Sequence, residues 1–317
     1  MLSDSLLQAC QVLTLLAFAP LVSGVISRLE AMIQSRHGPS IFQPYYDILK
    51  YFRKETVVPE HSSWIFRAGP YVSFTAYLSV ALLIPVLTNF PLPLGYMGDI
   101  LGGAFLLALA GFAIGLAALD TASPYAGLGS SRAASFGALI EPTLIFVFFT
   151  TALVSHTDNP YAMNATLRDS VVQVFRPAHL LAAAAFFLML MADTGRIPVE
   201  SSSSTLEFGM IDEARLFEYS GPAMALLRWG SAMKQFLLYV LFLNVFFFPW
   251  GVAGNAEITT VLISLGSLLL KMLGVGLVIV VIESAFAKLR LFKITEFMAA
   301  GFILAVLAVL DAYLGGG

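Results

Sequence analysis

The stretch EITTVLISLGSLLLKMLGVGLVIVVIE, residues 257–283, carries a single charge, Lys271, between the glutamates at its two ends. Crossing the hydrocarbon of a bilayer as a helix takes ~20 apolar residues at ~1.5 Å each, so this stretch reads as a membrane span. In lipid only helices and closed barrels satisfy every backbone polar group. The apolar residues come in long runs and not in alternation, which argues against a barrel. The same reading outward gives seven more spans, at 6–27, 69–90, 98–119, 133–155, 177–194, 234–250 and 296–314. The chain is 58% hydrophobic and 12% charged, with a mean hydropathy of +0.85, well outside the balance of a water-soluble domain. The expectation is an all-α integral membrane protein of about eight transmembrane helices, forming one polytopic domain over residues 1–317.

Composition also narrows the chemistry. A net charge of −3 excludes a basic nucleic-acid binder. The lone Cys10 can neither close an internal disulfide nor hold an iron–sulfur cluster, and His37, His61, His156 and His179 have no metal-ligand spacing. Any redox cofactor is therefore expected in another chain. The opening Met1-Leu2-Ser3-Asp4 has no positive charge, so the first span reads as a retained helix. Fourteen lysines and arginines fall after the first, third, fifth and seventh spans, whereas the opposite face has only Arg168 and Arg176. This bias puts both termini outside and the long charged connections in the cytoplasm.

The longest connection runs from Asp193 through Arg196, Glu200, Glu207, Asp212, Glu213, Arg215 and Glu218. A connection needs only a few polar residues, so one this long and acidic implies a partner. After the first span, Gly38-Pro39 breaks the chain. Residues 41–54 then put Ile48, Leu49, Tyr51 and Phe52 on one face and Lys50, Arg53 and Lys54 on the other, the pattern of a short amphipathic helix in the headgroup layer. Residues 120–132, with Pro124, Gly127 and Gly129, read as a docking loop in which Asp120 and Arg132 can pair.

A charge at mid-bilayer costs at least ~2.5–3.5 kcal/mol, which makes Glu141, Lys271 and Glu283 candidates for an ion path. Pro142 behind Glu141 would open a kink able to hold water or an ion. Lys271 and Glu283 are twelve residues, or ~18 Å, apart on one helix and cannot touch. The alternative for Glu141 is pairing to a neighbouring helix for packing specificity, and for Lys271 it is snorkelling or a structural ion pair.

Ser35-Arg36-His37-Gly38-Pro39, Asp120-Thr121-Ala122-Ser123-Pro124, Gly129-Ser130-Ser131-Arg132, Glu141-Pro142, Arg196-Ile197-Pro198-Val199-Glu200, Glu218-Tyr219-Ser220-Gly221, and Glu283-Ser284 through Lys288-Leu289-Arg290 together resemble one family. It is that of complex I subunit 1, the H-type subunit, and within it the branch of energy-converting, group 4 nickel–iron hydrogenases and formate hydrogenlyases. The resemblance covers essentially the whole chain. It implies a non-catalytic membrane coupling subunit in a prokaryotic plasma membrane, with Glu141, Asp193 and Glu283 as acids of a buried polar path. Arg196, Glu200, Glu207, Asp212, Glu213 and Glu218 would lie beneath the partners. Those partners would be hydrogenase large and small subunits, an iron–sulfur subunit and antiporter-like membrane subunits, which would carry the iron–sulfur clusters and the nickel–iron centre. Asp193 departs from the branch, which usually has glutamate there. The alternative within the family is the quinone-site subunit of an NADH:quinone oxidoreductase, with Arg36, Tyr45, Tyr46, Phe66 and Arg67 lining a cavity. An independent transporter or a plain anchor accounts for less of the sequence.

Overall fold

The structure, a computed structural model, describes residues 4–196, 211–286, 289 and 291–315. Glu200 and Glu207, with Lys288 and Arg290, lie outside these. The described chain is helical throughout, with no β-strand: α1 (Asp4–Ile33), α2 (Gln43–Phe52), α3 (Trp64–Leu83), α4 (Ile100–Leu119), α5 (Pro124–Ser155), α6 (Pro160–Asp169), α7 (Val171–Val174), α8 (Pro177–Asp193), α9 (Gly221–Leu241), α10 (Ile258–Ala285) and α11 (Leu291–Leu314). A π-helical segment, Phe242–Phe247, continues α9. Six helices, α1, α4, α5, α9 with its extension, α10 and α11, are long and apolar enough to cross a membrane. α8 is a shorter apolar helix, and α3 has 20 residues. Each of the eight expected spans thus falls on a helix, and the protein is a multi-pass membrane protein.

α9 is the hub. Its apolar window is 83% buried, against 22% for α11, and Phe236 to Val240 are fully enclosed. A helix apolar on every face belongs in the middle of a bundle. α1, α2, α3 and α10 pack on α9, while α4, α5, α8 and α11 form an adjoining group linked to it through the α3–α4 contact. The amphipathic expectation holds for α2: Ile48 is buried, whereas Tyr46, Leu49 and Phe52 keep apolar surface exposed.

Two expected boundaries are wrong for one reason: small or charged residues were read as connection. α5 begins at Pro124, nine residues before the expected 133, so most of the supposed docking loop is helix. Pro124 suits a first helical position because its missing N–H is not needed there. Gly129 is a packing residue and not a turn: a Cβ at that position would come within 2.6 Å of the Ala214 Cβ. Asp120 does not pair with Arg132 in the way expected. Its Oδ2 accepts from Ser63 N (2.7 Å), Ser63 Oγ (2.9 Å) and Phe66 N (3.1 Å), capping α3 from the end of α4. Burial pulls that carboxyl upward, and the three hydrogen bonds together outweigh it, so its pKa lies below the ordinary carboxylate value.

α9 begins at Gly221, thirteen residues before the expected 234, placing Arg228 and Lys234 inside the helix. Gly221, at φ +55°, makes the turn into it, and Pro222 occupies its first turn. α3 ends at Leu83, short of the expected 90, because Pro85 forces Ile84 into extended backbone (φ −105°, ψ 152°). The chain there pairs briefly with the segment after α9, between Thr88 and Ala253.

Candidate functional site

Three of the four residues expected to form an ion path, Glu141, Asp193 and Glu283, lie along one corridor in the half of the bundle that holds the end of α8 and the start of α9. Its entrance is a cleft of about 460 Å³ between α4 and α5, walled by Phe112, Gly115 and Gly137 and floored by Glu141, Asp193, Asp212, Arg215 and Lys234. Water takes ~30 Å³ per molecule, so the cleft has room for on the order of ten. Glu141 is exposed in it. α5 runs on without a break through Pro142.

Beyond the entrance, Lys234 Nζ donates to Asp193 Oδ1 at 2.6 Å. A short charge-assisted bond between largely enclosed side chains is much stronger than a surface ion pair. The same pair, with Arg215 and Asp212, also lines a second cavity of about 80 Å³ that reaches Tyr77, Ser231 and Gln235. Arg215 and Asp212 are themselves ion-paired. From there Gln235 Nε2 donates to Tyr239 Oη at 2.8 Å, and Tyr239 lies within electrostatic reach of Arg196 and Glu283. Arg196 is 3.6 Å from the Glu283 carboxylate and 4.0 Å from that of Glu30. The ordered sequence is therefore Glu141, cleft, Asp193–Lys234, small cavity, Gln235–Tyr239, and Arg196 with its two acids. Four of these groups, Lys234, Gln235, Tyr239 and Arg196, can donate protons in hydrogen bonds and four carboxylates, Glu141, Asp193, Glu283 and Glu30, can accept, the composition of a charge relay.

The connection is tied onto this corridor. Glu213 accepts two parallel bonds from Arg228, at 2.6 and 2.7 Å, in a bidentate pair. Glu218 is half-buried beside Tyr219, whose ring stacks on Phe66 with centroids 4.2 Å apart.

That stacking bears on the candidate quinone cavity. Phe66 is buried in a small core with Ala117, Tyr219, Met224 and Leu227. Tyr45 donates its hydroxyl to the Ala17 carbonyl, and Arg36, Tyr46 and Arg67 are exposed. Neither cavity above is lined by any of the five.

Lys271 stands apart. Its Nζ donates to Asn244 Oδ1 (3.2 Å) and to the Phe248 carbonyl (3.0 Å), at the far end of α9. Sequence reasoning missed Lys234, Arg228, Glu30, Gln235 and Tyr239. The signal for the first two was present: residues 221–233 are apolar enough to carry α9 back to a Gly–Pro start. Arg228 and Lys234, taken as loop charges, hid it.

With this arrangement in view, comparison with known proteins is informative. A family profile described as NADH dehydrogenase matches residues 7–313. Formate hydrogenlyase subunit 4 of Escherichia coli (strain K12) is 33% identical over 299 residues, covering 94% of this chain and 95% of that protein. Hydrogenase-4 component C of the same organism is 33% identical over 298 residues, 94% of this chain and 92% of its own. Among solved structures, a chain of the membrane-bound sulfane sulfur reductase, described as an archaeal respiratory membrane complex, superposes with a TM-score of 0.84 at 25% identity over 98% of this chain and 100% of that one. A match of this extent, on a bundle whose acids line one corridor, shows that the chain belongs to the NADH dehydrogenase subunit 1 family.

Proposed function

We propose that this chain is the membrane coupling subunit of an energy-converting hydrogenase of the formate hydrogenlyase type. It anchors a cytoplasmic iron–sulfur and nickel–iron arm and links electron transfer there to movement of protons or sodium ions. One observation carries this reading: in an apolar bundle, ionic and polar side chains form a single ordered series from an exposed mid-helix carboxylate, Glu141, to the Arg196 cluster just past the end of α8. The relatives named for hydrogenase complexes supply the kind of machine. On this reading the 194–220 end faces the cytoplasm of a prokaryotic cell, both termini lie outside, and hydrophilic large, small and iron–sulfur subunits sit on the connection.

The chain itself carries no redox group; its single cysteine supports that reading. What its residues do is hold and pass charge. A change of charge in the docked arm acts first on Arg196, which is shared between Glu30 and Glu283. When Arg196 shifts toward one acid, the other is left to take up a proton. Through Tyr239 and Gln235 that change reaches Lys234, whose grip on Asp193 decides whether Asp193 holds a proton. Carboxylates this close to one another's partners titrate as a set. Glu141, open in its cleft, hands the ion to an antiporter-like neighbour; a carboxylate in mid-helix left facing lipid is costly, and a neighbour covering the cleft removes that cost.

The test uses the complete complex in sealed vesicles, with hydrogen evolution from a low-potential donor and ion uptake measured together. Glu141→Gln and Glu283→Gln should each lower ions moved per hydrogen evolved by roughly tenfold while the complex still assembles. Full ion movement in both variants defeats the relay. A complex that reduces quinone and evolves no hydrogen replaces the hydrogenase reading with the quinone-site one.

A further inference from the structure

The far half of the bundle, which the corridor does not use, has polar machinery of its own around the π-helical end of α9. A helix leaves its last carbonyls without intrahelical donors, and here side chains from three other helices meet them. Asn164 of α6 donates to Asn244 O (2.5 Å) and Pro249 O (3.1 Å). His179 of α8 meets Phe246 O at 2.7 Å. Lys271 of α10 donates to Phe248 O and to Asn244 Oδ1. A lysine capping a helix C-terminus is favourable in itself. That role does not account for two further atoms at the same turn: Asn164 Oδ1 and His179 Nδ1 are both fully buried and without a hydrogen-bond partner. Leaving such an atom unmet is costly, and buried water is what ordinarily meets it. Gln11, whose Oε1 is also buried and unmet, extends the polar wall through Tyr161 toward the far face.

We propose that this chain holds a second proton-exchange site, in the far half of the bundle, in which Lys271 gives a proton to, and takes one from, water held against Asn164, Asn244 and His179. In the releasing step an Nζ–H bond breaks, its electron pair stays on Nζ, and the proton passes to a water molecule, leaving a neutral amine and a hydronium that exits at the far face. In the return step the amine lone pair takes a proton from a hydronium that enters from the far face, restoring the ammonium and leaving water. The groups facing Nζ are few. From α9 and the turn after it come Asn244, the Phe248 carbonyl and the Phe248 ring, 5.4 Å away. α1, also packed on α10, brings Asp4, Cys10, Arg28 and Glu30, none of them bonded or ion-paired to Lys271. Behind Asn244, α6 brings Tyr161, Arg168 and Asp169 and α8 brings His179 and Asp193; Arg168 and Asp169 pair with each other and Asp193 is held by Lys234. Among the described residues no carboxylate holds the lysine charged, so its proton is free to exchange.

The experiment uses the assembled complex in sealed vesicles of known orientation and has two arms. In the first, acetylation of Lys271 by acetic anhydride is followed by peptide mass spectrometry while the pH of each compartment is varied separately. The rate should rise with far-face pH by tenfold per unit until the amine is neutral, and ignore the pH of the 194–220 face; the opposite sensitivity, or none, overturns the proposal. This arm reads the lysine whether or not the complex moves ions, so its failure is distinct from failure of the coupling reading. In the second, Lys271→Met and Lys271→Arg are compared for ions moved per hydrogen evolved. Arginine keeps the cap and the charge but does not release a proton, so both variants should fall at least fivefold. Rescue by arginine shows a cap only and overturns the proposal.

Discussion

The two halves of this bundle solve the same problem, polar groups in an apolar medium, by different means. Near the 194–220 connection the groups are charged and paired: Asp193 with Lys234, Glu213 with Arg228, Glu283 and Glu30 with Arg196. In the far half they are amides, a histidine and one lysine, bonded to backbone carbonyls at the end of α9. Paired charges respond to a field from outside because moving one frees the other. Amide-to-carbonyl bonds hold a shape and leave water a fixed place. The difference teaches that one helix, α9, joins a responsive half to a rigid one, with Lys234 and Asn244 as their respective centres.

The comparison breaks most readily at Lys234. Lys234→Met leaves Asp193 without its ion-pair partner, and the loss should be about 3 kcal/mol, the low end for a broken buried pair because the two side chains keep 17% and 18% of their surface. Yield of assembled complex and its thermal unfolding in detergent check this. Adding Asp193→Asn should recover much of the stability but none of the ion movement; if the double variant is as unstable as the single one, the pair is not what holds the two helices. Asn164→Leu tests the rigid half. Removing the donor to two carbonyls should cost about 1–3 kcal/mol and, because Asn164 also holds the water of the Lys271 site, lower the ratio of ions to hydrogen about as far as the Lys271 variants do and less than the tenfold expected for the Glu141 and Glu283 variants. An equal loss of coupling would erase the distinction between halves.

The smallest effect is expected at the bundle rim. Asp120→Ala removes the cap that α4 supplies to α3, worth about 1 kcal/mol. The sign with pH follows from the depressed pKa of the folded carboxyl: its contribution is complete above the unfolded value of about 3.9 and is lost as pH falls through the folded one. Melting temperatures of the parent and Asp120→Ala complexes should therefore differ at pH 7 and converge in acid.

Much of the architecture was legible in advance. Long apolar runs locate the helices whatever they pack against, and the amphipathic pattern of residues 41–54 appears as α2. The early start of α5 was not legible from hydropathy, since Gly129 serves close packing against Ala214, and that of α9 was hidden by Arg228 and Lys234, which acids from elsewhere in the chain neutralise. Of the path residues, Glu141 and Glu283 could be picked out because each is an acid in an apolar run, and Asp193 entered through the family resemblance. Their order along a corridor could not, nor could the separation of Lys271 from it.

The sequence by itself determined that this chain is a bundle of membrane helices, because a backbone in hydrocarbon must bond within its own segment and ~20 apolar residues suffice for that locally. Only the tertiary structure decided which charges meet. Asp193 and Lys234 are 41 positions apart, and an ion pair between two helices depends on how those helices rotate and cross, which the packing of side chains such as Phe236 and Tyr239 sets and no local pattern records.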